Sequence, residues 1–153
     1  MPLPKLLVGL IFIGANLSAN ADIAVITHTQ NPLSTLAPVD LKRIFLKQTL
    51  KYPNGNNVIV GTLPAELALT RSFYQTALKM SDSQWHTYWA QYQFSGQKSA
   101  PKNLSDPLAM RLWVAHTPGA LGFVHVDWVD DSVKVLLTLD IASEPCDKES
   151  GCN

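Results

Sequence analysis

An excess of charge of either sign is absent from this sequence. Its 153 residues set 12 Lys and Arg against 12 Asp and Glu. A balanced chain without a basic run offers no electrostatic reason to expect nucleic acid or an anionic membrane as partner. Histidine is sparse as well. His28, His86, His116 and His125 are scattered, and only His125 and Asp127 are spaced to share a strand face, too few ligands for a metal. Adjacent carboxylates occur at Asp130-Asp131, in a turn and directed apart. Nucleophile-elbow, phosphate-loop and Cys–His patterns are missing. The expectation is a non-enzyme with neither metal nor cofactor. Cysteine is limited to Cys146 and Cys152, six positions apart in a polar tail spanning residues 143–153. In an oxidising compartment such a pair is expected to form a disulfide, and so small a loop contributes about 2 kcal/mol.

Long apolar runs are limited to one. Lys5 precedes the stretch Leu6 to Leu17, and Ala19-Asn20-Ala21 follows with small residues at the two positions a signal peptidase reads. The run falls short of the roughly 20 residues a bilayer span takes. Residues 1–21 therefore read as a secretory signal peptide, cleaved near Ala21, with an uncleaved anchor as the alternative. Cleavage would leave 132 residues (153 minus 21), one domain's worth of chain.

The rest is an alternation of elements over residues 22–142. A β-branched run from Asp22 to Thr29 predicts a strand, broken by Asn31-Pro32. Pro38 suits a first helical turn, and Leu41, Ile44 and Phe45 supply its apolar stripe. Tyr52-Pro53-Asn54-Gly55 signals a turn before a strand over 58–62. Pro64 is expected to open a helix running to about Lys79. Ser81 and Gln84 have capping-box spacing ahead of Trp85, Tyr88, Trp89 and Tyr92, which recur on one helical face. Such a stripe is usually packed on a core, with a stacking platform for sugars or bases as the rarer alternative. A loop is expected from Phe94 to Lys102, then a helix capped by Ser105 and ending near His116. Thr117-Pro118-Gly119 turns into a strand over 121–126, and a last strand covers Val133 to Leu139. The class is mixed α/β in two or three layers.

Four of these segments resemble, in order, the phosphate-type periplasmic solute-binding proteins. They are Asp40 to Lys47 with Tyr52 to Gly55; Arg71 to Tyr74; Trp89 with Phe94-Ser95-Gly96 and Pro101; and Thr117 to Phe123. The resemblance covers roughly residues 33–125. It implies an α/β fold, a single lobe of the type II periplasmic-binding-protein architecture with a mixed sheet flanked by helices. It implies a periplasmic location, phosphate or a similar oxyanion as ligand, and an ABC-type uptake system as the setting. The family's ligating Ser-Gly-Thr positions fall on Leu67, Ala68 and Leu69, and Lys47 and Tyr52 replace its glycine and tryptophan.

With that motif absent, an anion site has to draw on other groups. The helix start near Ala65 would offer free N–H groups and a positive dipole end. Thr62, after a strand, would add a hydroxyl, and Thr70 and Arg71 lie further along the same helix, Arg71 with a fork of donors. Ser34 and Thr35 lie in the loop before the first helix, and Gly119 sits where the sheet opens. The alternative reading is a lobe kept as an interaction module, docking on a membrane sensor, transporter or secretion assembly. A homodimer closed across the open cleft is a third.

Overall fold

The computed structural model describes residues 22–141. The expected signal peptide and the tail with Cys146 and Cys152 lie outside them. Five strands form one sheet: β1 (Ile23–His28), β2 (Ile59–Thr62), β3 (Lys102–Asn103), β4 (Ala120–His125) and β5 (Val133–Leu139). Their order is β3-β2-β4-β1-β5. β2 runs parallel to β3 and β4, whereas β1 is antiparallel to both β4 and β5. β1 alone is reversed, so the carboxyl ends of β2, β3 and β4 share one end of the sheet.

The helices are α1 (Pro38–Phe45), α2 (Ala68–Phe73), α3 (Asp82–Ser95) and α4 (Pro107–His116). They cover both faces of the sheet. On β4, successive side chains point to opposite faces. Gly122 meets Met110 of α4, so closely that a Cβ there would collide with the Met110 sulfur. Phe123 turns the other way, stacked on Phe73 of α2 at 3.9 Å and 6° and lying 6.1 Å from Phe45 of α1. The result is three layers, and it explains why β1 and β4 are buried along nearly their whole length.

Most expected elements are present, and the differences have local causes. The segment after Pro64 begins as a turn, Leu67 N–H donating to the Pro64 carbonyl at 3.1 Å. α2 starts only at Ala68 and widens into a π turn over Tyr74–Leu78. The cap of α4 is Asp106, whose Oδ1 accepts from Ala109 N–H at 2.8 Å, while the Ser105 hydroxyl donates to Asp106 Oδ2. α3 runs through Phe94 and Ser95, placed in a loop by the sequence, and ends at Gly96 in the left-handed region. The two-residue β3 carries too little pattern to be recognised from the sequence.

Candidate functional site

The larger cavity, of about 490 Å3, opens at the carboxyl ends of β2 and β3. Open α/β sheets place ligands beyond the carboxyl ends of their strands, and this volume is that of a small-molecule site. Thr62 ends β2 and is buried there, its Oγ1 3.0 Å from Tyr74 Oη. Burial pushes the Tyr74 phenol up to about 12 against the opposing pull of the Thr62 hydroxyl, and the Asp82 carboxylate raises it further. Tyr74 is thus a protonated hydroxyl at neutral pH. Asn103 of β3 adds an amide to the lining, and the Pro64–Glu66 turn forms the rim.

The opposite wall is α3. Its capping box is closed, Ser81 Oγ accepting from Gln84 N–H at 3.2 Å and Gln84 Oε1 from Ser81 N–H at 2.8 Å. From that start Trp85 and Trp89 fall on the inward face. Both are core residues, 5% and 4% exposed, and both also line the cavity. Tyr74 stacks on Trp85 at 4.4 Å. His86, whose Nε2 lies 3.1 Å from Asp82 Oδ1, and Gln93 stand on the same wall. Glu66 is the only fully charged residue in the lining, which contains no Lys or Arg.

Arg71 reaches the rim by another route. Its Nη1 donates to the carbonyls of Ala65 at 3.0 Å and Glu66 at 2.9 Å, which ties the rim turn to α2. Thr70 is fully buried, and its hydroxyl has no partner among the described residues. Ser34 and Thr35 are exposed on the loop before α1 and border neither this cavity nor the next.

Gly119 belongs to a second cavity of about 290 Å3 at the opposite end of the sheet. Its φ of 84° requires glycine, and a Cβ would stand 2.8 Å from the Asn57 carbonyl oxygen. A buried polar network backs this end. Thr27 Oγ1 donates to the Ala120 carbonyl at 2.8 Å and accepts from Asn31 Nδ2 at 3.1 Å. Tyr52 Oη lies 3.0 Å from Thr27 Oγ1 and 3.1 Å from the Ala120 carbonyl. Burial raises the Tyr52 phenol to about 12.

The six candidate positions therefore do not form one cluster. Thr62 is in the larger cavity, Arg71 braces its rim, Thr70 is buried outside its lining, and Gly119, Ser34 and Thr35 are elsewhere. The sequence reading missed Tyr74 and Asn103 as cavity residues, and held Trp85 and Trp89 as a binding surface only as the rarer alternative. The aromatic stripe and the capping box marked the face of α3, but not the space left beside it. Among the described residues no three His, Cys, Asp or Glu side chains gather as a metal site, and no helix is long and apolar enough to cross a membrane.

Sheet order and flanking helices are those of an α/β fold shared with solved phosphate-binding proteins. Solved structures support that assignment. A protein from Clostridium perfringens, assigned as a phosphate ABC transporter substrate-binding protein and solved with bound phosphate, matches at TM-score 0.61 and 18% identity. The match covers 74% of this chain and 43% of that one. An ABC-type phosphate transport receptor from Vibrio cholerae matches at TM-score 0.59 and 18% identity, over 81% of this chain and 58% of that one. PstS from Borrelia burgdorferi matches at 0.56 and 8% identity, over 74% and 46%. The chain thus spans about half the length of the structures it resembles. No protein-family model and no curated protein matches it.

Proposed function

We propose that this chain is a solute-receptor lobe that captures phosphate or a similar small oxyanion at the carboxyl ends of β2 and β3. In this reading it is exported to the periplasm, is non-enzymatic, and delivers its ligand to an ABC-type uptake system. The observation that carries it is the 490 Å3 cavity at the carboxyl ends of β2 and β3, on a fold shared with solved phosphate receptors. Thr62 and Tyr74 bring two hydroxyls there, 3.0 Å apart; with Thr62 donating to Tyr74, the Tyr74 O–H is left for a ligand. Arg71 is a cation on the rim, its Nη1 bonded to the Ala65 and Glu66 carbonyls.

Calorimetric titration with phosphate at low ionic strength, with sulfate as control, tests the proposal. Micromolar binding is expected, weakened at least tenfold by Arg71→Ala or Thr62→Val, the loss of one charge-assisted or neutral hydrogen bond in a partly enclosed site. Flat heats from folded protein would refute it. One observation favours a second reading: the lining holds Glu66 and neither Lys nor Arg. On that reading the lobe is a docking module for an envelope sensor, transporter or secretion assembly, and flat heats are its expected result.

A further inference from the structure

The second cavity, of about 290 Å3, is built from residues that oxyanion capture at the other end of the sheet does not use. It opens where β1 finishes and β4 begins. Its lining holds no Asp, Glu, Lys or Arg. Four carboxamides, Gln30, Asn31, Asn56 and Asn57, stand there with the His28 imidazole and the Tyr52 phenol, and two prolines and Gly119 complete the wall. Lys134, whose Nζ donates to the Asn31 carbonyl at 2.8 Å, is outside the lining. The floor is fixed by its own hydrogen bonds. Tyr52 Oη lies 3.0 Å from Thr27 Oγ1, Asn31 Nδ2 donates to the same oxygen at 3.1 Å, and Asn31 Oδ1 accepts from Leu33 N–H at 3.1 Å. Above it the polar groups are accessible. Gln30, Asn56 and Asn57 are exposed, and their side-chain amides have no partner among the described residues. His28 is half-buried, and its Nδ1 accepts from Gln30 N–H at 3.1 Å. The neutral ring therefore carries its proton on Nε2 and offers it as a donor.

We propose that this second cavity binds a neutral monosaccharide, a role separate from the oxyanion capture proposed for the larger one. A carboxamide presents donor and acceptor side by side, so four of them ask for a ligand that does both at close spacing. An ionised ligand would find no countercharge in the lining, and an apolar one would take water from the amides without replacing its hydrogen bonds. A sugar meets both conditions. Each of its hydroxyls donates and accepts, it carries no charge, and its C–H face suits the rings of Pro32 and Pro118. Gly119 shapes the same wall: at φ 84°, and with no Cβ, it lets the turn into β4 close against the Asn57 carbonyl.

The test titrates the 15N-labelled full chain with glucose, galactose and mannose, and with gluconate as the charged control. At least one sugar is expected to bind saturably, moving the amide signals of Gln30, Asn56, Asn57 and Gly119 and leaving those of Thr62 and Asn103 in place. Gluconate is expected to bind at least tenfold more weakly than that sugar. Asn57→Ala, at an exposed position in the lining, should weaken the sugar about three- to tenfold, the loss of one or two neutral hydrogen bonds. Four results would each overturn the inference: no saturable shift with any of the three sugars, shifts centred on Thr62 and Asn103, gluconate binding as tightly as the sugar, or unchanged affinity in folded Asn57→Ala. Phosphate binding at the larger cavity is read separately, from Thr62 and Asn103, and stands or falls on its own.

Discussion

Gly119 and Tyr52 show how single residues hold the end of the sheet away from the larger cavity. Gly119 closes the turn into β4 at φ 84°, with the Asn57 carbonyl oxygen 2.8 Å from the place a Cβ would take. Gly119→Ala combines a left-handed backbone penalty with that clash, and should lower stability by about 2 kcal/mol, read from the urea midpoint. Thr117-Pro118-Gly119 announced this turn in the sequence. Its contact with Asn57, sixty-two residues away, has no local signal. Tyr52 and Tyr74 lead to a pH prediction. Both phenols are raised from 10 to about 12 by burial, so the folded state keeps protons that the unfolded chain releases above pH 10. Their contribution is complete below pH 10 and is lost as pH climbs from 10 towards 12. Urea midpoints measured across that window should fall, and Tyr52→Phe or Tyr74→Phe should flatten the decline.

Among the elements, α3 is the one whose local sequence and tertiary role agree most closely. Ser81 and Gln84 form the capping box expected from their spacing, and the box sets Trp85 and Trp89 on the buried face. Ser81→Ala should cost about 1 kcal/mol, seen as a lower thermal midpoint. Because α3 forms the cavity wall, the same variant should loosen ligand binding. α2 is the counter-example. Pro64 satisfies the rules for a first helical residue, yet the chain there makes a turn, and Arg71 bonds the Ala65 and Glu66 carbonyls that a helix would have used internally. Proline at the start of a helix and proline at the start of a turn have the same φ, so local pattern does not separate them. In α4, Leu108 and Leu112 are 42% and 47% exposed while Met110 is buried. The absence of a side chain at Gly122 decides which face packs.

At the scale of the whole molecule, an aromatic cluster joins layers that the sequence separates. Phe45, Phe73 and Phe123 come from α1, α2 and β4, and all three are fully buried. Phe73→Ala would empty the centre of this cluster and should cost about 3–5 kcal/mol. That is a large part of the 5–15 kcal/mol typical of a domain, and the variant should unfold at a markedly lower denaturant concentration. By itself the sequence determined the class, most strands and helices, the capping box and the order of motifs that resemble those of phosphate-type solute-binding proteins. These follow from neighbours within a few positions, where periodicity, proline and caps act. Only the tertiary structure decided which strand ends meet, that Thr62 and Tyr74 share a cavity with Trp85 and Trp89, and that Gly119 lies at the far end of the sheet. Those outcomes depend on strand order, with β2 beside β4 and β1 reversed. Strand order is set by packing both faces of the sheet at once, an energy no short stretch of sequence contains.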